Sequence, residues 1–172
     1  MTANHIKRGL GPLTCPDARV LILGSLPGDE SIRQQQYYAH PQNQFWRMLA
    51  AVFDEPPCAS YDGKRARLAR HRIAVWDVLK SAERPGSLDT AIRNGVPNSI
   101  LELIADHPSI RLIACNGQKA HGLLQRHFGH ALSELQRPMS VAALPSTSPA
   151  ATRAFDEKVA EWRALMTSTK PV

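Results

Sequence analysis

The 172-residue sequence has little cysteine, few aromatic residues and no long apolar run. Its three cysteines, Cys15, Cys58 and Cys115, stand apart from one another and form no CxxC pair. Isolated cysteines argue against a disulfide framework, and three are one short of a cysteine-only zinc or iron–sulfur site. We therefore expect a reduced protein without a sulfur-ligated metal.

Signals for membranes and for export are also missing. No apolar run approaches the roughly 20 residues that a membrane-spanning helix needs. Lys7 and Arg8 lie near the start, but the apolar segment of a signal peptide does not follow them. The sequence therefore predicts a cytoplasmic protein that has no targeting signal and no membrane partner.

Positive charge is in excess. The chain has 21 Lys and Arg against 15 Asp and Glu, which gives a formal net charge of +6. A basic domain is compatible with nucleic acid, because phosphates attract Lys and Arg before any base is read. Residues 61–72 are the most basic segment, and we interpret them as a solvated helix face, with phosphate contact as the alternative.

The hydrophobic pattern predicts strands that alternate with helices. Hydrophobic residues make up 43% of the chain, so at this length we treat residues 1–172 as one domain with a real core. The predicted strands are 19–24, 73–79, 110–115 and 139–144. The predicted helices are 42–53, 61–72, 99–105, 118–128 and a last one that begins at Ser148-Pro149 and passes Met166.

This alternation predicts an α/β fold, a single-domain three-layer sandwich. Its central sheet would be mostly parallel, with about four strands and with helices on both faces. Residues 1–18 would form an N-terminal arm, 81–99 a long, partly ordered connection and 167–172 a frayed tail. Side chains of helix-capping type precede three of the predicted helices, namely Asp62, Asn98 and Ser148.

Polar clusters follow three of the predicted strands. They are the stretch 24–46, the pair Asn116-Gly117 and the segment Pro145–Ser148. In parallel sheets ligands bind beyond the carboxyl ends of the strands. The polar and aromatic groups of residues 24–46 are poorly suited to a core, so we expect these clusters to form a pocket for a flat polar ring.

Three motifs in this order carry a family resemblance. GSLPGDESIRQQQYYAHPQNQFW, ACNG and LPSTSPA together resemble the uracil-DNA glycosylase superfamily. The sequence looks closest to the hypoxanthine-DNA (deoxyinosine) glycosylase branch, with the mismatch-specific uracil-DNA glycosylases as more distant relatives. The resemblance covers about residues 19–166.

The resemblance implies a monofunctional DNA glycosylase of base excision repair. Such an enzyme flips a deaminated base (hypoxanthine, uracil or xanthine) out of DNA and hydrolyses its bond to deoxyribose with a positioned water. The resemblance implies no cofactor and no metal, and DNA containing deaminated bases as the partner. We expect a monomer that is associated with the nucleoid.

Two residues are assigned to catalysis by this resemblance. Asn43 resembles the asparagine that is important for catalysis in the hypoxanthine branch. A side-chain amide can hold a water or bond the base. An asparagine after Pro41 can equally cap a helix. His40 would assist or, as we favour, brace the loop.

Other residues are assigned to binding. Tyr38 would stack on the flipped base, with Tyr37 packing the loop onto the sheet. Asn116 would read the base edge, since a side-chain amide both donates and accepts, although an asparagine before glycine also suits a turn. Leu26 and Pro27 would form an apolar wall that selects the larger hypoxanthine ring. Three hydroxyl residues would grip phosphates at a helix start: Ser146, Thr147 and Ser148.

The sequence departs from the superfamily at two positions. The usual catalytic Asp or Asn of the first motif falls at Leu26, and a histidine of other uracil-DNA glycosylases falls at Leu144. Asp29 is the nearest carboxylate, and capping or exposure is favoured for it. These departures keep a second hypothesis open, a non-catalytic binder of damaged or single-stranded DNA. A phosphate-ester hydrolase is disfavoured, because neither a Walker loop nor a GxSxG elbow is present.

Overall fold

The central sheet has four parallel strands in the order β3-β2-β6-β7. The structure is a computed structural model, and it describes residues 5–168. The four strands are β2 (Val20–Gly24), β3 (Ile73–Asp77), β6 (Leu112–Asn116) and β7 (Ser140–Leu144). The predicted parallel sheet of four strands is therefore confirmed, and its carboxyl ends share one edge.

Both faces of this sheet are covered by helices, which explains the continuous apolar run of β2. Side chains alternate along a strand, so Val20 and Ile22 enter one core while Leu21 and Leu23 enter the other. Three helices pack on the Ile22 face: α2 (Phe45–Val52), α3 (Tyr61–Arg70) and α6 (Phe155–Thr167). Two pack on the Leu23 face: α4 (Ile100–Asp106) and α5 (Gln118–Ser133). The predicted three-layer α/β sandwich is confirmed.

A second sheet lies where the sequence analysis expected an arm and an irregular connection. It is antiparallel, with the order β1-β4-β5, and consists of β1 (Ile6–Arg8), β4 (Leu79–Glu83) and β5 (Arg93–Pro97). The predicted connection 81–99 thus holds part of β4 and all of β5, and β3 ends at Asp77 rather than at 79. The sequence gives little sign of this sheet, because each strand is short and only half buried, and because β1 pairs with β4 from far along the chain.

The capping residues predicted for α3 and α4 are wrong. Ser60, not Asp62, caps α3 by accepting a bond from the Gly63 N–H at 3.0 Å. The cap position of α4 is Ser99, while the Asn98 side chain donates to the Asp77 carbonyl at 2.9 Å. A short helix that was not predicted, α1 (Asp29–Gln34), has Ile32 as its one large apolar side chain, too few for a helical pattern.

The predicted helix start at Ser148-Pro149 is also wrong. Residues 148–151 form a single turn, and α6 begins only at Phe155. The turn does not propagate, because the Ala151 carbonyl accepts from Lys158 Nζ at 3.1 Å rather than from the next helical turn. Of the predicted tail 167–172, Thr167 ends α6, and residues 169–172 lie outside the described part.

No helix within residues 5–168 is long and apolar enough to cross a membrane.

Candidate functional site

A cavity of about 470 Å³ opens at the carboxyl edge of the parallel sheet. The ends of β2, β3 and β6 and the loop after β7 line it, together with residues 28–31 and 87–90. All of the site residues selected from the sequence lie in its lining: Leu26, Pro27, Tyr38, His40, Asn43, Asn116, Ser146, Thr147 and Ser148. The predicted convergence of the polar clusters on one edge is confirmed.

One side of the cavity is a chain of three hydrogen-bonded side chains, which we call the amide wall. Asn116 Nδ2 donates to Thr147 Oγ1 at 2.9 Å, and Thr147 Oγ1 donates to Asn43 Oδ1 at 2.9 Å. The Thr147 N–H donates back to Asn116 Oδ1 at 3.0 Å. The loop after β7 therefore joins the end of β6 to the segment before α2.

This network fixes the orientation of the Asn43 amide. Asn43 Oδ1 accepts from Thr147 and also from the Phe45 N–H at 3.0 Å, which places Asn43 at the start of α2 as a local cap. Its Nδ2 has no partner among residues 5–168. Because Oδ1 is engaged by the protein, Asn43 presents N–H donors to the cavity. Such donors stabilise negative charge or hold a water by its oxygen, and they do not accept a proton.

His40 is exposed at the cavity mouth. Its Nδ1 accepts from the Gln42 N–H at 3.1 Å, and its carbonyl accepts from the Asn43 N–H at 2.9 Å. Both contacts are local to the loop. His40 therefore has the bracing geometry, and a part in catalysis stays a prediction.

The two adjacent tyrosines have different surroundings. The Tyr37 hydroxyl donates to the Gly11 carbonyl at 2.7 Å, so Tyr37 fastens the loop to the N-terminal segment. Tyr38 has a left-handed backbone with φ 53°, and its ring stacks on Phe45 at a centroid distance of 3.9 Å. Phe45 covers one face of that ring, so only the other face can meet a base.

The innermost part of the cavity, which we call the acid floor, holds Asp77 and the Tyr38 hydroxyl. Asp77 is 4% exposed, and its Oδ2 has no hydrogen-bond partner in the described chain. Tyr38 Oη is equally buried and makes no hydrogen bond of ordinary geometry within residues 5–168, although it lies near the Asn116 amide. Burial, aided by Asp77, raises the pKa of Tyr38, although the nearby Asn116 amide opposes that rise. Asp77 was missed in the sequence because its strand was expected to run on to residue 79.

The apolar wall of Leu26 and Pro27 is held from behind by Arg84. Leu26 is buried and belongs both to the core and to the cavity lining. Arg84 is fully buried, and its guanidinium donates to the Leu26 carbonyl at 3.2 Å and to the Pro27 carbonyl. The sequence gives no signal for this role of Arg84, because the groups that it binds are backbone carbonyls far along the chain.

The serines beside Thr147 make local turns. The Ser146 hydroxyl accepts from the Ser148 N–H at 3.1 Å, and the Ser148 hydroxyl accepts from the Ala150 N–H at 3.2 Å. Gly117 permits this loop to approach, because it has φ 97° and a side chain there would lie 3.0 Å from the Ser146 Cβ. Phosphate contact by Ser146 and Ser148 stays a prediction, while Thr147 lies within the amide wall.

The basic segment 61–72 lies apart from the cavity lining. Arg67, Arg70 and His71 surround Glu55, with nitrogen–oxygen distances of 2.7, 2.5 and 2.6 Å. These intramolecular ion pairs favour the interpretation of the segment as a structural surface.

Three comparisons with known proteins agree on the family. Residues 12–167 match the model of the uracil DNA glycosylase superfamily. A hypoxanthine DNA glycosylase of Methanosarcina acetivorans is 38% identical over 163 residues, which cover 93% of this chain and 98% of that protein. The chain belongs to the uracil DNA glycosylase superfamily. The family predicted from the three motifs is therefore confirmed.

Two further relatives extend this result. A hypoxanthine DNA glycosylase of Methanosarcina barkeri is 40% identical over 115 residues, covering 66% of this chain and 73% of that protein. The solution NMR structure of a proposed uracil DNA glycosylase from Methanosarcina acetivorans matches with a TM-score of 0.79 and 36% identity. The match covers 95% of this chain and 98% of that one. The superfamily fold thus extends over nearly the whole chain.

For a member of this superfamily, the departures at Leu26 and Leu144 now have a structural setting. Both side chains are buried at 5% exposure and pack in the two hydrophobic cores. Neither can activate a water. The amide wall and the acid floor supply polar groups to this cavity that these two positions do not.

Proposed function

We propose that this protein is a monofunctional DNA glycosylase that hydrolyses the bond between hypoxanthine and deoxyribose in DNA, with uracil and xanthine as further substrates. The activity class, a DNA glycosylase for deaminated bases, agrees with the superfamily and with the names of the two Methanosarcina relatives. Hypoxanthine is proposed as the first substrate because both of those relatives are named for it.

The observation that carries the proposal is the fixed amide of Asn43. A base that leaves deoxyribose gains negative charge, and donors held in place before the reaction stabilise such charge without reorganisation. Asn43 Nδ2 points away from its protein partners at the mouth of a cavity whose apolar wall and aromatic ring suit a flipped base. Its Nδ2 can bind either the base or the oxygen of the attacking water.

Binding of the base is divided among three groups. The free face of the Tyr38 ring would stack on it, Leu26 and Pro27 would enclose its apolar side, and Asn116 would read its edge. The Asn116 amide bonds Thr147 through both of its ends, yet each end retains one further bond. Ser146 and Ser148 lie at the cavity rim, where DNA phosphates would pass.

We propose that the enzyme acts as a monomer on DNA, in association with the nucleoid. The net charge of +6 favours attraction to DNA phosphates.

A base-release assay tests the proposed function. Oligonucleotides with a single inosine, uracil or xanthine, each single- and double-stranded, are incubated with the protein and then heated in alkali. We expect strand breaks at inosine and none in an unmodified oligonucleotide. Intact strands with all three bases would contradict the proposal, and tight, salt-sensitive binding without base release would favour the non-catalytic binder.

A further inference from the structure

Asp77 lies at the end of β3, beside Gly24 of β2 in the register of the parallel sheet. It lines the cavity at only 4% exposure, and Oδ2 lacks a partner in the described residues. Burying an unpaired polar atom is unfavourable, so such atoms are uncommon unless a ligand meets them. The Asp77 carboxyl is thus a candidate contact for whatever fills the cavity.

The space around this carboxyl is kept free by Gly24. A methyl group on Gly24 would collide with Asp77 Oδ1 and would lie 3.2 Å from Tyr38 Oη. Both polar side chains therefore face the same point beside the Gly24 backbone. The acid floor thus places the Asp77 carboxyl and the Tyr38 hydroxyl side by side in the cavity lining.

The charges around Asp77 favour its neutral form. Burial and, to a smaller extent, the nearby Asp89 raise the pKa of Asp77 to about 7, against the opposing effect of Arg84. Tyr38 and Tyr37 also face this carboxyl, and both are neutral phenols whose pKa is itself raised by burial. A base in the cavity would displace water and would therefore favour the neutral carboxyl still more.

The chemistry of a leaving base decides between two roles for this group. A carboxylate against the base would repel the negative charge that grows as the bond to deoxyribose breaks. A neutral carboxyl would instead donate a hydrogen bond to that charge. Asp77 lies on the cavity floor, away from the mouth where the sugar and the attacking water belong, so it is poorly placed to deprotonate the water.

We propose that Asp77 is a general acid that enters the reaction neutral and passes its proton to the departing base. This inference rests on the proposed function. The bond between the base nitrogen and the sugar carbon breaks, and its electron pair stays on the base, which takes the carboxyl proton. Water supplies the new oxygen on the sugar, and the proton it loses goes to solvent, from which Asp77 is protonated again.

Single-turnover rates measured from about pH 5 to about pH 9 test the proposal with an inosine oligonucleotide. We expect the wild-type rate to fall about tenfold per pH unit above the pKa of the carboxyl. Asp77→Asn should be about 100-fold slower at low pH and nearly independent of pH, since general acids contribute about 100-fold or more. Asp106→Asn, the same change at an exposed position on α4, should keep the wild-type rate and profile.

Two outcomes would overturn the inference alone. One is an Asp77→Asn variant with the wild-type alkaline fall in rate, and the other is a variant rate close to that of wild type. If the wild type itself released no base, the proposed function would fail, and the general acid would fail with it.

A second measurement does not depend on activity or on the stability of the variant. Carbon NMR of the aspartate carboxyls in the wild-type protein should show one group that is still neutral near neutral pH, where ordinary aspartates are ionised. The inference expects that group to be Asp77. An Asp77 that is fully ionised at mildly acidic pH would overturn it.

Discussion

The amide wall and the acid floor line the same cavity, but they differ in how far their polar atoms are hydrogen-bonded within the protein. In the amide wall, Asn116, Thr147 and Asn43 bond one another, which leaves the Nδ2 hydrogens of Asn43 and one further bond at each end of the Asn116 amide for a substrate. In the acid floor, Asp77 Oδ2 and Tyr38 Oη have no partner in the described chain. The hydrogen bonds of the amide wall form before a substrate binds, whereas the polar atoms of the acid floor would gain their partners from the substrate.

Because of this difference, substitutions in the amide wall and in the acid floor should affect stability and activity differently. A satisfied network fixes geometry and also stabilises the fold, so changes in the wall should reduce both stability and activity. Unpaired buried groups oppose folding, so changes in the floor should reduce activity without loss of stability. Each of the following substitutions tests one side of that distinction.

The largest effect is expected at Asn43. Asn43→Ala should lower the rate of base release by about 100- to 1,000-fold, the usual loss when one preorganised donor is removed. Asn43→Asp keeps the oxygen that caps α2 and loses the donors, so it should fold like wild type and be equally slow. Gln42→Ala, at the exposed neighbouring position, is the control. An active Asn43→Asp variant would contradict the role of Asn43 as a donor.

Asp77→Asn should change how stability depends on pH. The pKa of Asp77 is about 7 in the folded protein against 3.8 for an ordinary aspartate, so between these values only the unfolded chain loses the proton. Wild-type stability therefore falls as the pH rises through this interval, by at most about 4 kcal/mol at about 1.36 kcal/mol per pKa unit.

Urea denaturation at about pH 5 and about pH 8 measures this effect. The stability of Asp77→Asn relative to wild type should rise by about 2 kcal/mol from the lower to the higher pH, since water penetration reduces the full value. Equal stability differences at both pH values would show that Asp77 is not a buried neutral acid.

Thr147→Val tests the centre of the amide wall. It removes the hydroxyl that joins Asn116 to Asn43 and leaves buried partners unpaired, which should cost about 1–3 kcal/mol of unfolding free energy. Base release should also slow, because the Asn43 amide is no longer held. Thr147→Ser keeps the hydroxyl and is the matched control, and a Val variant as active as the Ser variant would be evidence against the network.

The smallest effect on stability is expected for Tyr38→Phe, with Tyr37→Phe as its matched comparison. Tyr38→Phe removes an unpaired hydroxyl and keeps the ring on Phe45, so stability should be unchanged or slightly higher while base release slows. Tyr37→Phe loses the bond to the Gly11 carbonyl and should cost about 1 kcal/mol. Thermal unfolding of both variants checks this order, and a destabilised Tyr38→Phe would place the hydroxyl in the structural network.

Much of the parallel sheet could be predicted from the sequence, because its strands are locally encoded. The run at 19–24 is apolar on both faces of the strand, and the structure places β2 at Val20–Gly24. The antiparallel sheet could not be found in this way. Its strands are short and half exposed, and β1 pairs with β4 from far along the chain.

The sequence predicted residues that line the candidate site, but it did not predict the chemistry of that site. The motifs indicated Asn43, Asn116 and Thr147, and all three lie in the cavity lining. Their catalytic and binding roles stay predictions, as does the single domain. Asp77 was absent from the prediction, because a charged residue inside an apolar run gives no sign of which atoms it faces.

The sequence by itself determined the family, the parallel α/β sheet and the edge at which the polar groups meet, because these follow from local patterns and from ordered motifs. Only the tertiary structure decided which way the Asn43 amide points and what lies beneath it. The first depends on Thr147, which is brought to Asn43 by the loop after β7. The second depends on strand register, which sets Asp77 beside a glycine with no side chain to fill the space.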